Sequence, residues 1–135
     1  MKMLLGVFML FWCVVTCGAQ APPPPESPFA CDRLALSAAA RARHFDELGP
    51  QLRTLRLGVR ELPDGYAFQF PGDPKSIQLV AEWVAGERLC CPFFDIALSM
   101  DREGGAFWLK LSGRPGTKQF IQADAAPWLK PVVRQ

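Results

Sequence analysis

The stretch that decides the fold is LRLGVRELPDGYAFQF, residues Leu55 to Phe70. Apolar side chains alternate with polar or small ones on both sides of the turn sequence Pro63-Asp64-Gly65. This is the pattern of a β-hairpin whose strands each have one solvent-exposed face, because side chains alternate between the two faces of a strand. The stretch therefore predicts two antiparallel strands that need a partner layer to cover their apolar face.

Helices are predicted on both sides of this hairpin. Apolar residues recur at spacings of three and four over Cys31 to Leu48, and Gly49-Pro50 is a helix-ending pair. Asp73 followed by Pro74 predicts the start of a second helix, which runs to about Cys90.

A second hairpin follows, and a last helix closes the pattern. Alternation predicts strands over residues 94–100 and 107–111, then a short helix from Thr117 to Ala126 that Pro127 stops. The predicted fold is α+β, a four-stranded antiparallel sheet of two hairpins with helices packed on one face, in the order α-ββα-ββα.

The N-terminal segment, residues 1–21, has the features of a secretory signal. Lys2 precedes an uncharged apolar run that ends at Cys17, and small residues follow, so cleavage is expected after Ala19. The run is shorter than the roughly 20 apolar residues of a membrane span. Export to the periplasm or the extracellular space is therefore expected. The alternatives are a lipid anchor at Cys17 and an uncleaved N-terminal anchor. The chain is expected to attach to a membrane only in one of these two ways.

The mature chain divides into a spacer and a single domain. Residues 22–28 are proline-rich and predict a stiff polyproline spacer, and residues 29–135 have the length of one domain. The net charge of +2 falls to +1 when Lys2 leaves with the signal. This balance gives no reason to expect a nucleic-acid partner, and the arginines between residues 41 and 60 are read as a solvated face.

Three cysteines remain after the signal: Cys31, Cys90 and Cys91. In an exported protein, an odd count indicates a disulfide with one free thiol, a metal site or an intermolecular bond. A disulfide from Cys31 to either Cys90 or Cys91 is one expectation. Inert burial of the thiols is another, because free cysteine packs as a small hydrophobe.

Glu87 lies one helical turn before the cysteine pair. Its position falls on the same helical stripe as Val80 and Val84, which predicts that its carboxylate points inward. A buried carboxylate needs a partner or a proton. The candidate partners are Arg41, Arg43 and His44 on the first helix, or a metal ion.

The vicinal pair Cys90-Cys91 is the centre of a possible metal site. Thiolates without rigid spacing suit a soft ion such as Cu(I) or Zn(II). The candidate ligands are Cys90 and Cys91 with one of Cys31, His44 or Glu87, and Cys31 is the favoured third ligand. If Cys31 and His44 belong to one helix, they lie about 20 Å apart along its axis and cannot share an ion.

Catalysis is less favoured than binding. The chain has no C-x-x-C motif, and the thiols lie at the C-terminal end of a helix, where the dipole disfavours a reactive thiolate. His44 is the one histidine available as a base, and no oxyanion-hole motif accompanies it.

Three segments resemble a group of small, uncharacterised bacterial proteins that carry the motif E-x-x-C-C-P-F. They are Leu62-Pro-Asp-Gly-Tyr-Ala-Phe68, Glu87-Arg-Leu-Cys-Cys-Pro-Phe93 and Phe107-Trp-Leu-Lys-Leu-Ser-Gly113. The resemblance covers residues 31–122 and implies a genuine domain without implying a role. The first helix of that group resembles Cys-(x)n-Glu-Arg-x-Arg-His, but Ala40 stands in place of the glutamate, which leaves Glu87 as the candidate acid.

The sequence supports two functional hypotheses. The first is a small exported domain that binds a soft metal ion, or senses thiol state, through Cys90 and Cys91. The second is a non-catalytic structural or interaction module that a disulfide from Cys31 stabilises.

Overall fold

The structure is a computed structural model that describes residues 22–23 and 25–131. The predicted signal, residues 1–21, and the last four residues of the predicted domain lie outside the described residues. Within the described part, no helix combines the length and the apolar character that crossing a membrane requires.

Helices and hairpins alternate along the described chain. The helices are α1 (Ala38–Ala42), α2 (Gly49–Leu55), α3 (Pro74–Cys90), α4 (Thr117–Asp124) and α5 (Ala126–Leu129). A 3-10 turn, Arg33–Ala35, precedes α1, and a π-helical turn, Arg43–Leu48, joins α1 to α2. The strands are β1 (Gly58–Leu62), β2 (Gly65–Phe70), β3 (Asp95–Met100) and β4 (Phe107–Ser112).

The four strands form one antiparallel sheet in the order β1-β2-β4-β3. Each hairpin pairs its own two strands, and the two hairpins meet where β2 pairs with β4, with Phe68 opposite Leu109. The predicted α+β architecture, two hairpins in the order α-ββ-α-ββ-α, is therefore confirmed.

The core lies between the sheet and the helices. Alternate residues of the two central strands, among them Phe68, Phe70 and Leu109, are almost completely buried. They belong to one apolar cluster with Val80 of α3 and Ile121 of α4. The alternation that predicted the strands thus also identifies the face that the helices cover.

The first helical segment differs from the prediction at both ends. It begins at Ala38, where the side chain of Ser37 accepts a hydrogen bond from the backbone N–H of Ala40, and it continues past Gly49-Pro50 to Leu55. Pro50 lies at the junction between the π-helical turn and α2. Its missing N–H breaks no hydrogen bond within α2, and a proline is tolerated in a first turn. Gly49-Pro50 therefore does not stop the helix.

The last predicted helix is divided. The helix α4 ends at Asp124, and Pro127 lies in the first turn of α5 instead of terminating a single helix. The physical reason is the same as at Pro50, because a first-turn proline has no intrahelical partner to lose.

Candidate functional site

The C-terminal end of α3 positions the two residues at the centre of the site. The side chain of Asp73 accepts hydrogen bonds from the backbone N–H groups of Lys75 and Ser76, which fixes where the helix begins. From there the buried positions recur at spacings of three and four: Ser76, Val80, Trp83, Glu87 and Cys90. The inward direction of Glu87 is confirmed, since 7% of the residue is exposed.

Glu87 is paired with His44. The distance from His44 Nε2 to Glu87 Oε2 is 3.0 Å, and both side chains are buried. The other candidate partner on the same turn, Arg43, instead binds Glu82 of α3, with 2.8 Å between its Nε and the carboxylate, and also binds Glu47. The buried pair and the exposed pair together hold the π-helical turn against α3.

The geometry of His44 assigns its tautomer. An ionised carboxylate accepts hydrogen bonds and cannot donate one, whereas Nδ1 of the ring is buried and has no partner among the described residues. The proton therefore belongs on Nε2, which donates to the carboxylate of Glu87. The ring also stacks on Trp83, with centroids 5.4 Å apart and planes 12° apart.

Gly86 provides the space that the imidazole occupies. A Cβ atom at this position would lie 2.5 Å from Nδ1 of His44, a distance that van der Waals repulsion forbids. Sequence reasoning missed this residue. The signal was available, because a glycine inside a helix costs about 1 kcal/mol relative to alanine and needs a compensating reason.

The cysteines meet where α3 ends. Cys91 follows the helix directly and forms a disulfide with Cys31, which is one of the two predicted pairings. The chain next to Cys31 is held there by a hydrogen bond from the backbone N–H of Asp32 to the carbonyl of Cys90, 2.7 Å long. Cys31 precedes the helical segment, so it is not separated from His44 along a common helix axis, and that premise of the prediction is wrong.

Cys90 is the free cysteine of the described residues, and it is fully buried. Its Sγ lies 3.8 Å from Sγ of Cys91, 3.7 Å from Oε2 of Glu87 and 3.9 Å from Nε2 of His44. Burial, followed by the nearby charge of Glu87, raises the pKa of the Cys90 thiol from 9.0 to about 12. Without a cation, Cys90 is therefore a neutral and unreactive thiol at ordinary pH.

All five predicted ligand residues come together in this region. Ligand atoms of Cys31, Glu87 and Cys91 lie within 4.8 Å of one another, and those of His44, Glu87 and Cys90 do the same. The two groups share Glu87. The vicinal cysteines, with His44 and Glu87 beside them, could therefore form a metal site.

A cavity of about 200 Å³ opens beside this cluster, and sequence reasoning did not anticipate it. Cys31, His44 and Glu87 form part of its wall, and Arg53 and Asp124 also border it. The rest of the wall is largely aromatic: Phe45, Phe68, Trp83, Phe94, Phe120 and Trp128. The aromatic residues come from the π-helical turn, β2, α3, the loop before β3, α4 and α5, so no local sequence pattern could reveal the cavity.

Comparison with known proteins adds no assignment. The chain matches no protein-family model, no curated protein and no solved structure. The geometry of the cluster around Cys90 and Glu87 is therefore the basis for a functional conclusion.

Proposed function

We propose that the reduced form of this protein binds one soft metal ion, zinc or copper(I), through the thiolates of Cys31, Cys90 and Cys91. One observation carries the proposal: three sulfur atoms converge at the end of α3, two of them bonded in the disulfide and the third 3.8 Å from Cys91 Sγ. Two thiolates about 2.3 Å from a tetrahedral zinc ion lie about 3.8 Å apart. The vicinal pair already has this spacing.

Glu87 completes the proposed ligand set, and His44 orients it. The Glu87 carboxylate lies within 4.8 Å of the ligand atoms of both Cys31 and Cys91. The Nε2–H of His44 donates a hydrogen bond to that carboxylate and so fixes its direction, as hydrogen-bond partners of metal ligands do in metal sites. His44 is a poorer direct ligand, because metal binding at Nε2 would move its proton to the unpartnered Nδ1.

Thiol oxidation controls access to this site. The thiolate is the metal ligand, so a disulfide between Cys31 and Cys91 removes two of the three sulfur ligands. The chain then has an oxidised, metal-free form and a reduced, metal-binding form. The proposed metal function and the sensing of thiol state are in this way one property.

Zinc titration of matched oxidised and reduced samples tests the proposal. The protein is reduced with a phosphine under anaerobic conditions, freed of reductant and passed through a desalting column after metal addition. About one zinc or copper(I) ion per chain is expected in the reduced sample and essentially none in the oxidised sample. A Cys90→Ser/Cys91→Ser double variant should lose the metal.

A Glu87→Gln variant distinguishes the two metals. Its zinc affinity should fall by about 10–100-fold, whereas Cu(I), which prefers sulfur ligands, should bind with little change. Failure of the reduced, folded protein to retain either ion would overturn the proposed function.

A second candidate function follows from the disulfide itself. The bond between Cys31 and Cys91 spans 60 residues of sequence and links the chain before α1 to the end of α3. A domain in which this bond is never reduced would be a structural or interaction module with an inert Cys90. Equilibration with glutathione redox buffers separates the candidates: a disulfide that stays oxidised at every physiological ratio supports the structural module.

We also propose that the protein is exported. Structural disulfides persist in oxidising compartments such as the periplasm, which supports an exported protein. Intact-mass measurement of protein from its native host tests it, with a chain that begins near Gln20 as the expected result. A chain that retains Met1, or carries a lipid on Cys17, would contradict a cleaved and unanchored form.

A further inference from the structure

The two cysteines of the disulfide differ in burial. Cys91 is fully buried, whereas Cys31 is not buried and forms part of the cavity wall. A molecule that enters the cavity can therefore reach Cys31 but not Cys91. The aromatic wall makes the cavity a suitable place for an apolar group, and Cys31 places an electrophilic disulfide sulfur beside that group.

We propose that this cavity binds a small apolar thiol, which exchanges with the disulfide at Cys31. The cavity volume of about 200 Å³ is sufficient for a group the size of a benzene ring, since an engineered apolar cavity of about 150 Å³ binds benzene. Ring-on-ring contacts with Trp83 and Trp128 would add to the affinity. The wall carries the carboxylates of Glu87 and Asp124 against the guanidinium of Arg53, so a thiol without a charged substituent suits it better than a thiol that also carries a carboxylate.

The exchange is balanced in atoms and electrons. The sulfur of the entering thiol bonds to Sγ of Cys31, the bond from Cys31 to Cys91 breaks, and the proton lost by the entering thiol ends on Cys91. The first product is a mixed disulfide at Cys31, with Cys90 and Cys91 left as adjacent thiols. A second thiol of the same class releases the first as a symmetrical disulfide and leaves Cys31 reduced. Two thiols are oxidised for each protein disulfide that is reduced.

This inference rests on the proposed function in one respect: it names the class of reductant that opens the metal site. The buried Cys90 takes no part in the first step. It lies beside the leaving sulfur, 3.8 Å away, so both vicinal thiols become available as soon as Cys91 is released.

Reduction by two thiols of matched acidity tests the proposal on the full chain. Benzyl mercaptan carries an apolar ring and 2-mercaptoethanol does not. We expect benzyl mercaptan to open the disulfide about tenfold faster or more, because the ring is buried in the cavity. Acid-quenched peptide mapping should place the mixed disulfide on Cys31. Equal rates of disulfide opening by the two thiols in the unmodified protein, or a mixed disulfide on Cys91, would overturn the proposal.

A pair of variants locates the preference in the cavity. Ala125 borders the cavity, whereas Ala123 is exposed on α4 and does not line it. Ala125→Leu should abolish the preference for benzyl mercaptan, and Ala123→Leu should keep it. An unchanged preference in a folded Ala125→Leu protein would place the thiol elsewhere. Zinc binding after phosphine reduction needs no thiol in the cavity, so its outcome judges the proposed metal function separately.

Discussion

Nε2 of His44 lies 3.0 Å from Oε2 of Glu87, and this buried contact connects the π-helical turn to α3 directly beside the cysteines. The donor is the Nε2–H group, because the ionised carboxylate of Glu87 can only accept a hydrogen bond. A π-helical turn is uncommon and is often found at functional sites. Here the turn carries the histidine that orients the one carboxylate shared by both candidate ligand groups.

Loss of the Glu87 carboxylate should destabilise the oxidised fold. Glu87→Leu leaves the Nε2–H of His44 buried without an acceptor, which costs about 1–3 kcal/mol in the free energy of unfolding. Glu87→Gln retains an acceptor oxygen and should lose less. Urea unfolding at constant pH measures both values. Glu82→Leu, at an exposed position of the same helix, is the control and should have a smaller effect. If the free energy of unfolding of Glu87→Leu equals that of the wild type, the buried contact does not stabilise the fold.

Gly86→Ala should disturb the site by displacing His44. The new methyl group would meet the imidazole at 2.5 Å, and such overpacking typically costs about 1–3 kcal/mol. Gly49→Ala is a matched control at the start of α2. An added Cβ there meets its nearest atom, the backbone carbonyl oxygen of His44, at 3.4 Å. That control should be neutral or more stable, since alanine favours helix over glycine by up to about 1 kcal/mol.

The two glycine variants also report on the position of the histidine. The Cε1–H resonance of His44, the sole histidine of the chain, should shift in Gly86→Ala and stay in place in Gly49→Ala. Equal stability and an unmoved resonance in Gly86→Ala would show that the helices separate easily at this point.

The fold was predictable from local patterns. Alternation around Pro63-Asp64-Gly65 and the start signal at Asp73 are properties of a few neighbouring residues, and both strands and helix follow them. The limits of the first helix were not predictable in this way. A proline stops a helix where its missing N–H removes a hydrogen bond and its ring clashes with a carbonyl of the preceding turn. At Pro50 the preceding turn is π-helical, which avoids this clash.

The members of the site were also predictable, but their arrangement was not. Buried-stripe periodicity directed Glu87 inward, yet it could not choose among Arg41, Arg43 and His44 as its partner. The choice depends on the rotation of the π-helical turn and on the space at Gly86. The approach of Cys31 depends on a long-range backbone hydrogen bond to the end of α3, which no periodicity encodes.

Cys90 should be resistant to alkylation in the native protein. Its pKa is raised to about 12, so the thiolate is scarce at pH 8 and the sulfur is also buried. Iodoacetamide followed by mass spectrometry should label Cys90 only in denaturant. Rapid labelling of the native, oxidised protein at pH 8 would show that this thiol is open to solvent.

The same pKa shift predicts a loss of stability in alkali. A group whose pKa is raised on folding contributes stability below its unfolded pKa and loses that contribution as pH rises through its folded pKa. For Cys90 this window runs from pH 9.0 to about 12. The free energy of unfolding of the oxidised protein should fall across it. The decline should be shallower in Cys90→Ala, and identical slopes would remove Cys90 as the cause.

Removal of the disulfide should weaken the fold, and metal should then restore part of the loss. The bond closes a loop of 60 residues, for which the chain-entropy model gives about 4 kcal/mol of stabilisation. Cys31→Ala and the metal-free reduced wild type should both lose about this amount in urea unfolding, relative to the oxidised wild type.

Zinc separates these two destabilised proteins. Zinc at about 100 times its dissociation constant should raise the stability of the reduced wild type by about 2.7 kcal/mol, because the ion binds the folded chain. Cys31→Ala lacks one proposed sulfur ligand, so the same zinc concentration should raise its stability less. An equal gain in both proteins would show that Cys31 serves only as the disulfide partner of Cys91, and that Cys90, Cys91 and Glu87 hold the metal without it.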